Sequence, residues 1–200
     1  MTAFRLPNFD GDVALIVHVG DRNRALLAEH LEKLGLRVRT CWPAERLAPD
    51  AADLILFDAD MGFDDLFSWE PGQSPVPLIA LLGSEAPGRI EWALSHAPSA
   101  FLTKPIRSNG VFSALAIAFH TFAEQCQQRR LIETLEQRIK ARPLVLRVIL
   151  TLMQERKVND TEAFHLLRTE SMKRRMSVEE LCQQLVGRAG RAPRVQQSRL

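Results

Sequence analysis

The stretch DLILFDA, residues 53–59, decides the fold of the first half of the chain. Its four consecutive apolar residues end on an aspartate, Asp58. A short unbroken apolar run is typical of a strand that is buried on both faces of a parallel sheet. The carboxyl ends of such strands are where α/β proteins gather their functional groups. We therefore predict a buried strand that presents Asp58 at its functional end.

Four further segments have the composition of strands, three of them largely apolar and one alternating. They are VALIVHV (13–19), LRVRTCW (36–42), PLIALL (77–82) and AFLTKP (100–105). Helical patterns at 24–35 and 86–96 lie between strands, and a Gly/Pro-rich turn follows the stretch around Asp58. Strands that alternate with helices form a parallel sheet covered on both faces. The sequence thus predicts a five-stranded, parallel, doubly wound α/β domain over residues 1–110.

Composition excludes several classes of protein. Hydrophobic residues make up 46% of the chain and charged residues 25%, which is ordinary for a folded protein with an aqueous surface. No apolar run approaches the roughly 18–20 residues of a membrane span, and no secretory signal is visible. The three dispersed cysteines, Cys41, Cys126 and Cys182, favour reduced thiols over a disulfide frame or a zinc site. We expect a cytoplasmic protein without a membrane association.

Charge is distributed unevenly along the chain. Residues 1–123 hold 10 Lys/Arg against 15 Asp/Glu, a net charge of −5, whereas residues 124–200 hold 16 against 9, a net charge of +7. An acidic first part and a basic second part indicate two modules with different partners. The basic module can attract a polyanion such as a nucleic acid, although a merely solvated basic surface has the same composition.

A long helical pattern runs from residue 108 to about residue 142. Ile132, Leu135 and Ile139 recur at spacings of three and four, and such a stripe must be buried against something. Pairing with a second copy would bury it, so residues 111–142 are predicted as the coiled-coil helix of a homodimer. Folding back onto the C-terminal helices is the alternative. The sequence does not specify whether the two coiled-coil strands run parallel.

A small helical domain is predicted over residues 143–187. Pro143 fits the first turn of a new helix, which continues as a strongly apolar segment to residue 156. Two cap-and-reach-back pairs, Asn159 with Glu162 and Ser177 with Glu180, predict helices near 160–172 and 178–186. The remainder, 188–200, is basic, lacks an apolar face and is expected to be disordered.

The first module resembles the receiver domain of response regulators. The resemblance covers residues 10–120 and rests on five strand–helix units, an Asp that ends the third strand and a Lys-Pro pair after the fifth. AADLILFDADM is similar to the strand that carries the phosphoacceptor, which implies that role for Asp58. FLTKPI is similar to the Lys-Pro signature, which implies the phosphate-sensing role for Lys104 and a cis peptide bond between Lys104 and Pro105. The implied fold is flavodoxin-like.

Two receiver functions are missing from the sequence. Receivers bind Mg²⁺ through an acidic pair that ends the first strand, but His18 and Val19 occupy those positions, and Mg²⁺ requires oxygen ligands. Asp21 lies two residues too late. The switching hydroxyl at the end of the fourth strand is replaced by Leu82. We predict a pseudo-receiver with no metal or cofactor, in which Asp58 and Lys104 survive as an ion pair. The alternatives are a packing remnant without a signalling role and signalling through phosphorylation of Asp58.

The last three helices resemble an ANTAR domain, the RNA-binding module of antiterminators. The matching residues are Arg142, Val145, Leu152, Met153, Ala163, Leu167, Arg168, Met172 and Leu181. The stretches TCWPAE, RTESMKRR and LCQQLVG further resemble antiterminators of the AmiR family, whose layout is pseudo-receiver, coiled coil and three-helix ANTAR bundle. The resemblance therefore runs across nearly the whole chain and implies the same domain order.

Membership of such a family implies that the protein binds paired hairpins with six-nucleotide loops in leader RNA and prevents a terminator from forming. Two loops require two copies of the domain, which fits a homodimer, and family precedent implies control by a ligand-sensing partner protein. Unstacked loop bases are read by base edges, stacking and cationic side chains. The candidate RNA-binding residues are Arg142, Arg147, Arg168, Lys173, Arg174 and Arg175. A solvated helix end is the alternative interpretation of the last three.

One departure concerns the first ANTAR helix, where the family carries an Ala-Lys pair on the side facing RNA. This chain has Val148 and Ile149 there, so either Arg147 substitutes or this surface contacts protein. A protein-interaction regulator with a degenerate, non-RNA-binding ANTAR domain is therefore the alternative function. Nothing in the sequence matches a Gly-rich phosphate loop, a metal-binding histidine pair, a Cys-x-x-Cys pair or a nucleophile elbow. We expect a regulator with no catalytic residues, not an enzyme.

Overall fold

A computed structural model of the chain describes residues 8–43, 46–48, 50, 52–62 and 65–189. It divides the chain into two compact units between Gln127 and Gln128. The first unit is built on a β-sheet, and the described part of the second is helical.

The sheet of the first unit has five strands. They are β1 (Val13–Val17), β2 (Arg37–Cys41), β3 (Leu54–Asp58), β4 (Leu78–Leu82) and β5 (Ala100–Thr103). Their order across the sheet is β2-β1-β3-β4-β5, and every neighbouring pair is parallel. The predicted five-stranded parallel α/β fold is therefore confirmed. The stretch around Asp58 forms its central strand.

Two hydrophobic clusters cover the two faces of this sheet. Side chains alternate along β3, so that Leu54 and Leu56 belong to one cluster while Ile55 and Phe57 belong to the other. Helix α1 (Arg22–Lys33) and the first part of α3 (Ser108–Arg156) pack on the first face. Helix α2 (Pro87–Ser95) packs on the second. Burial on both faces explains why β3 has no polar residue before Asp58.

In the part of the chain that the structure describes, two connections lack the helix that the receiver resemblance implies, and one of them is the Gly/Pro-rich turn predicted after Asp58. Helices follow β1, β4 and β5, but the described residues between β2 and β3 and between β3 and β4 form none. Leu47 and Phe67 instead form an isolated parallel bridge between these two connections. Three prolines and two glycines in residues 59–77 interrupt helical periodicity there. Aromatic packing covers this face, with the Phe57 and Phe67 rings 5.3 Å apart.

Helix α3 runs without interruption past Pro143, where a new helix was expected. Its regular part begins after Gly110, whose φ of 105° lies in the region that favours glycine. Pro143 has no N–H to donate to the Ile139 carbonyl, but both residues are exposed, so water can hydrogen-bond that carbonyl. Despite the length of α3, no helix among the described residues is long and apolar enough to cross a membrane.

The apolar stripe of α3 is exposed in the second unit. Ile132, Leu135 and Ile139 are between 46% and 57% exposed, and the neighbouring Leu131 is 59% exposed. Helices α4 (Asp160–Arg174) and α5 (Val178–Ala189) therefore do not cover this stripe. This excludes the folded-back arrangement for these side chains within a single chain.

The end of α3, α4 and α5 share a small apolar core. It contains Val148, Leu167, Leu181 and Cys182, all buried. Both predicted helix caps are present: the Asn159 side chain accepts from Glu162 N–H at 2.8 Å, and Ser177 Oγ accepts from Glu180 N–H at 3.1 Å. Helix α5 continues three residues beyond its predicted end at residue 186. The expected basic tail lies, from residue 190 onward, outside the described residues.

Candidate functional site

Four positions singled out in the sequence lie at the carboxyl edge of the sheet. His18 follows β1, Asp58 ends β3, Leu82 ends β4 and Lys104 follows β5. His18, Asp58 and Lys104 meet there, because parallel strands present these ends on one edge. Leu82 contributes its backbone carbonyl, which accepts from Lys104 N–H at 2.7 Å. The Lys104–Pro105 peptide bond is cis, as the receiver resemblance implied.

Asp58 is a buried carboxylate whose two oxygens are both occupied. Oδ1 accepts a hydrogen bond from the Lys104 ammonium at 2.8 Å and another from Asp60 N–H at 2.9 Å. Oδ2 lies 3.1 Å from Nε2 of His18. The predicted ion pair between Asp58 and Lys104 is thus present, with side chains only 3% and 13% exposed. A phosphoryl donor would have to displace one of these neighbours to reach an acceptor oxygen.

His18 places ring nitrogens where a receiver has a carboxylate. Its Nδ1 lies 2.9 Å from the Val19 carbonyl, and since a carbonyl only accepts, Nδ1 carries a proton. Nε2 faces both Asp58 Oδ2 at 3.1 Å and Lys104 Nζ at 3.4 Å. A protonated ring donates to Asp58, whereas a neutral ring accepts from Lys104. In either form the buried imidazole is hydrogen-bonded to one member of the Asp58–Lys104 pair.

Asp60 is a member of this site that our sequence reasoning missed. Its Oδ2 lies 2.7 Å from Lys104 Nζ and accepts from Gly83 N–H at 2.8 Å. Its Oδ1 accepts from Ser84 N–H at 3.0 Å. The only signal in the sequence was the spacing of two aspartates around Ala59 at the end of a buried strand. Lys104 therefore bridges two carboxylates instead of one.

The charges at this site stabilise one another. Burial alone would lower the pKa of Lys104, but hydrogen bonds to Asp58 and Asp60 outweigh it and raise that pKa above its ordinary value. Burial alone would raise the pKa of Asp60, but the hydrogen bond from Lys104, followed by those from the Ser84 and Gly83 amides, lowers it. The geometry thus favours a charged ammonium and a charged Asp60 carboxylate at neutral pH.

The carboxylates near this edge are engaged in ways that oppose metal binding. Asp58 and Asp60 both contact the Lys104 ammonium, which supplies the positive charge that a divalent cation would bring. Asp21 caps α1, because its Oδ1 accepts from Arg24 N–H at 2.8 Å. Within the described ranges, no three His, Cys, Asp or Glu residues are grouped so as to hold a metal ion.

The second candidate surface is the basic face of the second unit. The six cationic residues singled out in the sequence are all exposed: Arg142, Arg147, Arg168, Lys173, Arg174 and Arg175. Arg174 donates through Nε to Glu170 Oε1 at 2.6 Å. Arg175, the residue that follows α4, adopts the left-handed conformation, with φ of 54°. Within the described part of the chain, no hydrogen bond or ion pair joins these six side chains to one another, so they are dispersed over the surface.

Val148 and Ile149, at the positions where the family carries its Ala-Lys pair, pack toward the core of the second unit. Val148 is buried in the core with Leu167, and Ile149 is partly buried against the same core. The helical repeat explains this, since residues at spacings of three and four on α3 share the face that packs on α4 and α5. The exposed apolar residues of this segment are instead Leu146 and Leu150. Both side chains are therefore explained by packing within the second unit.

An exposed aromatic residue on α4 was also missed. Phe164 is 42% exposed, and Met172 is 69% exposed. Arg168 lies between them at spacings of four residues, so the three share one side of the helix, away from buried Leu167. The only sequence signal was an aromatic residue beside a periodic apolar face. Its exposure depends on how α4 packs, which spacing alone does not specify.

These features define a class of protein. A receiver-like sheet, whose Asp58 is paired with Lys104 and His18, is followed by a long helix and a small helical unit, which is the domain order of a receiver-like regulator. The chain belongs to the AmiR family of regulators: the family described as "AmiR, N-terminal" matches residues 13–119. The ANTAR domain family matches residues 133–186.

The chain is also similar to individual proteins. The chain is 25% identical over 171 residues to the aliphatic amidase regulator of Pseudomonas aeruginosa, covering 84% of this chain and 87% of that protein. Among solved structures, it is similar to a signal receiver domain of a modulated diguanylate cyclase from Desulfovibrio desulfuricans, with 24% identity and a TM-score of 0.46 over 57% of this chain and 99% of that one. A CheY-like response regulator from Mesorhizobium loti is 19% identical, with a TM-score of 0.42 over 53% and 97% of the two chains.

Proposed function

We propose that the protein is a cytoplasmic transcription antiterminator that binds hairpin loops of leader RNA as a homodimer. A ligand-sensing partner protein, rather than phosphorylation, controls it. The observation that carries this proposal is the exposed cationic and aromatic surface on the ANTAR domain. In this reading the protein is a regulator and not an enzyme.

The surface of α4 has the chemistry that single-stranded loops require. Unstacked bases bind to aromatic faces and to arginine side chains, while cations contact the phosphates. Phe164 and Arg168 are exposed one turn apart on α4. The helix ends in Lys173 and Arg174, and Arg175 follows it. The partner of Arg174, Glu170, is itself partly exposed, so a phosphate can replace it at low cost.

Dimerisation is supported by the stripe of Leu131, Ile132, Leu135 and Ile139. A single chain leaves these residues in water, although burying one such side chain is worth about 1.5–3 kcal/mol. Pairing with the same stripe of a second copy buries both and follows the spacing of a coiled coil. It would also supply two RNA-binding domains for two hairpin loops.

Control by a partner is supported by the state of Asp58. Both of its oxygens are occupied, and the Lys104 ammonium already neutralises the charge that Mg²⁺ would neutralise in phosphoryl transfer. Incubation with acetyl phosphate and Mg²⁺ should therefore leave the mass of the protein unchanged, while a receiver with an intact acidic pair gains a phosphoryl group. A phosphoryl group on Asp58 would overturn this part of the proposal and favour signalling by phosphorylation.

A gel shift with the leader RNA of the neighbouring transcription unit tests RNA binding. We expect binding to an RNA with two hairpin loops, weakening as salt rises. The double variant Arg174→Ala, Arg175→Ala should lose most of it, while Lys33→Ala with Arg89→Ala, which removes the same charge from the first unit, should not. Equal affinity for random RNA would contradict sequence-specific antitermination.

The second candidate is a protein-interaction regulator without RNA recognition. It is favoured by Leu146 and Leu150, which are 60% and 59% exposed on α3 where a protein could cover them. It predicts no hairpin binding at any salt concentration. It further predicts that Leu146→Ser with Leu150→Ser disrupts regulation, whereas the arginine variants do not.

A further inference from the structure

The Asp60 carboxylate is held by three donors from two parts of the fold. Gly83 N–H and Ser84 N–H, on the loop after β4, donate to Oδ2 and Oδ1 at 2.8 and 3.0 Å. Lys104, after β5, contacts Oδ2 at 2.7 Å. Two successive backbone amides and an ammonium form a donor set that proteins use to bind oxyanions such as phosphate, sulfate and carboxylate. Here the anion comes from the chain itself.

Asp60 and Lys104 lie so close to the loop after β4 that residue 83 has no room for a side chain. A Cβ atom added at Gly83 would lie 2.5 Å from Asp60 Oδ2 and 2.9 Å from Lys104 Cε, closer than a real Cβ comes to such atoms. The loop backbone can therefore approach the carboxylate only because residue 83 has no side chain. This arrangement joins the ends of β3, β4 and β5 through a single side chain.

A salt bridge between Lys104 and a carboxylate would not require the two backbone amides that also bind Asp60. Lys104 already has Asp58 as a partner at 2.8 Å, and Asp60 adds two amide donors that Asp58 does not contact. Because Asp60 is tethered two residues after Asp58, its effective concentration at these donors is far above that of any dissolved anion. The two amides and the ammonium are thus already paired with a carboxylate in the native protein.

We propose that the Gly83 and Ser84 amides and the Lys104 ammonium form an oxyanion-binding site that Asp60 occupies from within. The internal carboxylate keeps dissolved phosphate out and holds the loop after β4 in one conformation without covalent modification. Removing Asp60 opens a site for a tetrahedral oxyanion. The proposal is independent of RNA binding, since it concerns the first unit alone.

The test uses the full chain with inorganic phosphate or sulfate as the probe, and chloride at equal ionic strength as the reference. In Asp60→Ala, phosphate should raise the thermal unfolding temperature of the first unit by several degrees. It should also shift the NMR amide resonances of Gly83 and Ser84. Both responses should be absent from the native protein, whose site is already occupied.

Asp58→Asn is the matched control. It removes the other carboxylate from Lys104 and leaves Asp60 seated, so it should not respond to phosphate. If it responds as strongly as Asp60→Ala, the freed lysine binds the anion and the amides play no part.

A folded Asp60→Ala that does not respond to phosphate, or a native protein that responds equally, would overturn the proposal. Should Asp60→Ala not fold, Asp60→Ser, whose shorter and uncharged side chain leaves the site open, should regain stability with phosphate. Its failure to do so would count equally against the proposal.

Discussion

Lys104 Nζ lies 2.8 Å from Asp58 Oδ1 and forms an ion pair that is almost wholly removed from water. A second carboxylate, Asp60, contacts the same ammonium. The lysine therefore supplies the positive charge that keeps these two neighbouring carboxylates from repelling each other. Four consequences for stability, assembly and RNA binding can be measured.

Lys104→Met should destabilise the first unit by about 3 kcal/mol, because it leaves two carboxylates facing each other without a counter-charge. All three tryptophans, Trp42, Trp69 and Trp92, lie in this unit, so urea unfolding followed by tryptophan fluorescence reports its stability. The matched variant Lys33→Met breaks an exposed pair with Glu29 and should cost less than about 1 kcal/mol. Equal effects of the two substitutions would mean that the Lys104 cluster is effectively solvated.

The Asp60 carboxyl should make the first unit sensitive to acid. Its pKa is lowered in the folded state, so its stabilisation is complete above the pKa of the unfolded carboxyl, about 3.9, and is lost as pH falls through the folded pKa. Urea midpoints measured from pH 7 to pH 3 should therefore fall less steeply below pH 4 in Asp60→Asn. Glu91→Gln, which removes an exposed carboxylate from α2, should keep the native slope. Parallel curves for the native protein and Asp60→Asn would show that Asp60 is not held as described.

The sequence predicted the strands and the ion pair because both depend on local patterns. A buried strand shows its apolar run, and Asp58 and Lys104 sit at strand ends that a parallel sheet brings together. Asp60 could not be predicted in the same way. Its role depends on a loop that starts 23 residues later reaching back to it, and on Gly83 leaving room for its carboxylate.

Two features of the second unit, one of them wrongly predicted, have the same cause. Pro143 was expected to begin a helix, since a proline normally costs a helix interior about 3 kcal/mol, yet α3 passes through it. Val148 and Ile149 occupy the positions where the family carries an exposed Ala-Lys pair, yet they pack in the core. In both cases tertiary packing on α4 and α5 decides which residues are helical and which face is buried, and single-residue propensities do not contain that information.

The exposed stripe on α3 should hold two copies of the chain together. Ile132→Lys with Ile139→Lys places charges in the middle of this stripe and should convert a dimer into a monomer in sedimentation equilibrium. Gln137→Lys, on the opposite side of the helix, should remain dimeric. Far-UV circular dichroism should show that both variants keep their helices. A double variant that stays dimeric would place the interface elsewhere.

Phe164→Ala tests whether α4 reads unstacked bases. One lost base–aromatic stack should weaken hairpin binding roughly 5- to 150-fold, and because no charge is removed the dependence of affinity on salt should not change. Arg168→Ala, one helical turn away, should instead reduce the slope of log affinity against log salt by about 0.7 if the guanidinium contacts a phosphate. Leu166→Ala removes an apolar side chain of similar exposure from another side of α4 and should leave binding intact. Phe164→Trp should restore it, since a larger ring stacks at least as well. If Phe164→Ala and Leu166→Ala weaken binding equally, the loss reflects the stability of the helix, and the aromatic ring has no special part in recognising RNA.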